Sequence, residues 1–184
     1  MKFDPTAYGP LAAGILALDG NGERLMPLAE GSCSSAEALA RIKTAKPNEL
    51  FPHSRQPQAA LSGLYLYFSC IDLAHEIAQS VNTAEGSYWH GIVHRQETDP
   101  DNARYWFRRV GSHPIFADLA RSAHELGWVD AAANGQWDPG RFVGFCERAR
   151  REPASPQARV ALEIQRAEWQ LLFDYCARGE RHAL

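Results

Sequence analysis

Three times in the second half of the chain an Asp or Ser stands directly before a proline: Asp99-Pro100, Asp138-Pro139 and Ser155-Pro156. Inside a helix proline removes a hydrogen bond and clashes with the preceding turn, but at the first helical position its missing N–H would be unpaired anyway. The residue before it offers a side-chain oxygen to the orphan amides of the first turn. Each dipeptide therefore marks a helix start. No stretch alternates apolar and polar residues for more than a few positions, as a half-buried strand would. The expected fold is all-α, one irregular single-domain bundle of about six to eight helices.

The rest of the chain fits that frame. Pro10 opens a short helix through Leu18, closed by Asp19-Gly20-Asn21-Gly22. Ser34 with Glu37 forms a capping box for a helix through Thr44, with Leu39, Ala40 and Ile42 as its apolar side. Lys46 to Pro57 is proline-rich and reads as a loop. A long helix is expected from Gln58 to Ser80, with Leu64, Phe68, Ile71, His75 and Ala78 on one inward stripe. Asn82 or Thr83 caps the next, which runs to Gln96. From Pro100, Ala103, Trp106, Phe107 and Val110 keep helical spacing up to Gly111. Ser112 or His113 starts a helix with Ile115, Phe116, Leu119, Ala123 and Leu126 inward, stopped by Gly127. In the last helix Val160, Ile164, Ala167, Leu171 and Tyr175 form a seam. The parts are a less regular 1–57, central helices over 58–126 and a C-terminal pair over 138–179.

With 184 residues and 45% hydrophobic content, the chain can bury a core without metal or disulfide. A net charge of −3 with scattered arginines leaves no footprint for phosphate backbones, so nucleic acid is not an expected partner. Leu11 to Leu18 is too short to cross a membrane and lacks a cleavage signal, so neither an anchor nor a signal peptide is expected. Cys33, Cys70, Cys146 and Cys176 form no C-x-x-C pair. Reduced, buried thiols in a cytoplasmic protein are the reading they suggest.

Costly side chains concentrate between Glu85 and Pro114, where three of the seven histidines, four arginines and two of the five tryptophans fall. His90 and His94, four apart on a helix, stand one above the other and can close on one ion. Glu97 follows on the next turn, and His75 can approach from the preceding helix. His75, His90, His94 and Glu97 are thus the candidate ligands of a divalent metal such as zinc. Seven histidines in 184 residues produce roughly 0.2 such i, i+4 pairs at random, and His75, by itself more often a satisfied core histidine than a ligand, gains interest only with the pair. Position 91 is Gly, so the general base of an H-E-x-x-H metalloprotease is missing. No nucleophile elbow, P-loop or dinucleotide fingerprint is present, and no catalytic residue is assigned. In Arg104 to Arg109, Trp106 and Phe107 are expected to pack inward, with Asp101 pairing with Arg104 or the tyrosine face.

The segment Ser87 to Phe116, with its Y-W-H-x3-H-R-x-E and Y-W-F-R-R-V-G-x-H-P blocks, resembles a family of uncharacterised bacterial and fungal proteins. The preceding D-x-x-H-x-x-x-Q of Asp72 to Gln79 is similar to that family too. The resemblance covers Leu64 to Phe116 and implies relatives without implying a reaction.

Three functional readings follow. One is a metal-binding helical protein, a hydrolase if the ion activates water. Another is a non-enzymatic module whose pocket holds a small anionic or aromatic molecule. The last is a structural network of buried polar side chains.

Overall fold

The computed structural model describes residues 3–129, 132–133 and 136–179. Among them are ten α-helices: α1 (Pro10–Leu16), α2 (Ala36–Thr44), α3 (Pro47–Leu50), α4 (Pro57–Tyr67), α5 (Ile71–Ser80), α6 (Ala84–Gln96), α7 (Pro100–Val110), α8 (Phe116–Glu125), α9 (Pro139–Arg151) and α10 (Pro156–Ala177). Two 3-10 segments, Pro5–Tyr8 and Ala17–Gly22, flank α1. The only paired strands among the described residues are β1 (Ala132–Ala133) and β2 (Gln136–Trp137), an antiparallel rung between α8 and α9. The all-α expectation holds, with more helices than the six to eight anticipated.

The proline signals land where local chemistry puts them. Asp99 accepts from the Asn102 amide, Asp138 from those of Gly140 and Arg141, and Ser155 from that of Ala158. Thr83 caps α6 through the Gly86 amide. Two other starts are displaced. Ser35, not Ser34, caps α2, because the Ser34 hydroxyl donates to Asp19 instead. Helix α8 begins at Phe116 without a side-chain cap, and His113 Nδ1 accepts the Ile115 amide ahead of it.

The expected long helix from Gln58 to Ser80 is two helices. Ser69 adopts a left-handed conformation with φ +57°, and the Ser69 and Cys70 amides bond back to Leu66 and Tyr65 carbonyls at 2.9 and 3.0 Å. This is the helix-ending pattern that usually carries glycine. The chain then turns back on itself, so that the Ser62 hydroxyl donates to the Ala74 carbonyl at 2.9 Å. A disulfide joins Cys70 to Cys33, which overturns the reading of four reduced thiols; Cys146 and Cys176 are the buried free ones.

Helix α6 is the buried axis, with every residue from Glu85 to Gln96 shielded from solvent. It is packed between α5 and α7 and also touches α4. Such closeness needs small residues: a Cβ on Gly91 would lie 2.9 Å from the Phe107 ring, and one on Gly63 of α4 would lie 2.6 Å from Trp89. The largest apolar cluster surrounds this axis, with Tyr67, Trp89, Trp169 and Phe173 at its centre. A second, around Trp128, Trp137, Phe142 and Phe145, joins α8 and α9 to the first half of α10, and Phe116 and Leu171 touch both clusters.

On α10 the buried stripe is rotated from the expected seam. Ala161, Ile164, Glu168, Trp169, Leu172 and Cys176 face inward, whereas Val160, Ala167 and Leu171 are half-buried and Tyr175 is exposed. The cause is polar. Glu168 is drawn into the core by Arg95 of α6, with Tyr88 donating to its other oxygen at 3.2 Å. Burial first, with Glu168 next, pushes the Tyr88 phenol well above its ordinary range, so it stays a donor.

Candidate metal centre

Helices α5 and α6 are joined by three residues and packed side by side, which sets His75 opposite His90 and His94. The inward stripe of α5 is Ile71, Ala74 and Ala78. His75 sits on its shoulder with a 28% exposed side chain, rather than on the stripe itself. The difference follows from the break at Ser69, which decouples α5 from the face of α4. His90 and His94 are buried on α6.

The three imidazoles converge. One ring nitrogen from each lies within 4.8 Å of the others. His75 Nε2 and His90 Nε2 are 2.8 Å apart, and the His90 and His94 rings stack with centroids 4.7 Å apart. Nitrogens sharing one tetrahedral ion at about 2.0–2.1 Å would lie about 3.3–3.4 Å apart. The group is therefore loose at His94 and tight between His75 and His90.

Glu97 lies beside the Nδ1 atoms of two of these rings. Its Oε1 is 2.9 Å from His75 Nδ1, and its Oε2 is 2.8 Å from His94 Nδ1. The second contact is close but badly aligned for a hydrogen bond, which leaves His94 Nδ1 without a formal partner. A carboxylate that accepts from His75 Nδ1 holds that atom as N–H and leaves His75 Nε2 its lone pair, and its closeness to His94 Nδ1 favours the same tautomer there. Against the His75 lone pair, His90 must present Nε2–H when no ion intervenes. That leaves its buried Nδ1 as an unpartnered acceptor.

The surroundings of the rings disfavour charge. Burial first, then His75 and His94, pushes His90 down to about 3. Burial also lowers His94, partly countered by Glu97. Neutral imidazole is the form that ligates metal. Trp106 of α7 closes the other face of His90, stacked with ring centroids 4.0 Å apart. Its half-buried indole lies under the Arg109 guanidinium at 5.2 Å.

All four sequence candidates thus meet, with three imidazoles converging and Glu97 against the Nδ1 atoms of His75 and His94. Trp106 belongs to the site as well, although its spacing on α7 had placed it among plain core residues. Phe107 is buried as expected, and Arg104 pairs with Asp101 at 3.5 Å and with Glu147 at 3.2 Å. No helix of the described residues is long and apolar enough to cross a membrane. No family model matches the chain, and neither a curated protein nor a solved structure matches it.

Proposed function

We propose that the chain binds one divalent metal ion, zinc in the first instance, through His75, His90 and His94. The observation that carries this reading is Glu97, one carboxylate behind the Nδ1 atoms of both His75 and His94. Carboxylates in that position fix the tautomer and sharpen the basicity of metal-bound imidazoles. An ion would also replace the His75–His90 contact with two lone-pair bonds.

Held by His75, His90 and His94, such an ion would supply the chemistry of metal-assisted hydrolysis, lowering the pKa of a water beside it. Hydrolysis is the activity this reading would support. Glu97, committed to two imidazoles, would orient ligands rather than serve as the general base. The substrate in this reading is a small molecule.

A second reading has its own observation. The 2.8 Å contact between His75 and His90 is a satisfactory hydrogen bond without any ion, so the cluster also works as a structural network binding α5 to α6. Elemental analysis of untagged protein separates the two: stoichiometric metal supports the centre, and none, with no stabilisation by added zinc, iron or manganese, supports the network.

Membership of the helical family resembled by Leu64 to Phe116 is likewise proposed and lends no activity. A cytoplasmic location is proposed on Cys146 and Cys176 alone, since Cys33 and Cys70 are joined.

A further inference from the structure

We propose that the Cys33–Cys70 disulfide is a redox control on the histidine centre, and that reducing it weakens metal binding. This control presupposes the metal centre proposed above. Its basis is the position of Cys70, the residue immediately before α5. The Cys70 carbonyl accepts the Ala74 amide at 3.1 Å, a bond of the first turn of α5, and His75 is the next residue.

The bend in front of α5 is held from outside. Ser69, a non-glycine residue at φ +57°, receives a hydrogen bond from Arg24 at 3.0 Å, and the Ser34 amide donates to the Phe68 carbonyl at 2.7 Å. Both contacts come from the segment that carries Cys33. The disulfide is the covalent tie that keeps this segment against the bend. Without it, a backbone conformation that L-residues resist is held by non-covalent contacts alone.

The consequence falls on one ligand. His90 and His94 ride on the buried axis helix, whereas His75 is partly exposed on the helix that begins at the disulfide. Loosening the start of α5 therefore frees His75 relative to the other two, and a ligand set that is not held in place binds its ion less tightly.

The bond is within reach of a dithiol reductant. An open groove of about 560 Å³ is lined by Glu30, Ser32, Cys33, Ser69, Cys70 and Asp72. Cys33 is half-buried and Cys70 only 7% exposed, so attack falls on Cys33. A thiolate of the reductant bonds to Cys33 Sγ, the S–S bond breaks, and its electron pair leaves on Cys70 Sγ, which takes up a proton. The second thiol of the reductant, deprotonated, then attacks the mixed disulfide, closes the reductant's own disulfide and releases Cys33, which is protonated in turn. Two electrons pass from the dithiol to the cystine.

The test compares zinc affinity, by competition with a chromophoric chelator, in oxidised protein, in protein reduced and then freed of reductant, and in C33S/C70S. Thiol titration under denaturing conditions should find only Cys146 and Cys176 in the oxidised form and all four cysteines after reduction. Affinity should fall about tenfold in both the reduced protein and the double variant, the low end of what losing support for a ligand costs, and the amide of His75 should exchange faster with solvent. If the variant does not fold, the reduced wild-type chain still gives the comparison. Equal zinc affinity in oxidised and reduced protein overturns the control while leaving the centre intact. Four free thiols after exposure to a disulfide oxidant overturn the control as well. Zinc binding in none of the forms overturns the centre and the control together.

Discussion

Glu97 holds His75 from behind: its Oε1 lies 2.9 Å from Nδ1 of a histidine 22 residues earlier in the chain, on a different helix. Glu97 itself follows the last residue of α6. The next residue, Thr98, takes a left-handed conformation at φ +61° and lets the Asp99 amide return to the His94 carbonyl at 2.9 Å. The end of α6 is thus shaped so that one carboxylate reaches two imidazoles.

Replacing that carboxylate by an amide of the same shape isolates its role. In E97Q the side chain accepts from one Nδ1–H at most, while its NH2 forces the other imidazole to carry its proton on Nε2, where the ion should sit. Zinc affinity should fall about 10- to 100-fold, with little change in helix content. Chelator competition and circular dichroism read the two quantities separately.

Acid should find the site before it finds the ordinary carboxylates. His90 is held down to about 3 and His94 is also lowered, mainly by burial. In the unfolded chain both take up protons near pH 6.5, whereas the folded protein does not. Stability is therefore full above about pH 6.5 and declines as pH falls, by up to about 1.4 kcal/mol per unit for each such group. Metal-free H90Q should lose stability less steeply than wild type between about pH 6 and pH 4, as measured by urea unfolding at several pH values. Equal slopes would show that His90 titrates alike in both states.

Arg95 and Glu168 form an ion pair with both side chains fully buried, and the guanidinium also lies 4.6 Å from the centre of the Phe142 ring. Removing one charge strands the other. R95M alone should cost about 3–5 kcal/mol, whereas R95M/E168L should recover much of that loss. Denaturant midpoints of the two single variants and the double variant supply the cycle.

Two helical glycines should respond to alanine with opposite signs. A Cβ at Gly14 meets nothing within 4 Å, so G14A should stabilise by about 0.5–1 kcal/mol through helix propensity. At Gly91 the new carbon would be 2.9 Å from the Phe107 ring, and G91A should destabilise by about 1–3 kcal/mol despite the same propensity gain. Thermal unfolding of the two variants checks both signs.

What the sequence made legible was mostly local. The caps at Thr83, Asp99, Asp138 and Ser155 depend on residues within a turn, and His90 and His94 share a face because the helical repeat demands it. Helix α5 was harder. Its separation from α4 depends on Ser69 standing where a glycine would have signalled a stop, with support from Arg24 and Ser34 far away in the chain. The Cys33–Cys70 bond spans 37 positions and leaves no spacing motif. The inward turn of Glu168 was hidden for the same reason, since its partner lies on another helix 73 residues away. Trp106 kept helical periodicity, but its contact with His90 depends on the close approach of α6 and α7, which Gly91 allows.

Metal content per chain is the most direct measure of the histidine centre. Untagged protein, purified without chelators and analysed by inductively coupled plasma mass spectrometry, should carry one divalent ion per chain, zinc foremost, and H90A/H94A should carry none while keeping its helical spectrum. Wild-type protein with only trace metal, whose melting temperature does not move when zinc, iron or manganese is added, would contradict the centre and leave His75, His90, His94 and Glu97 as a hydrogen-bonded brace between helices.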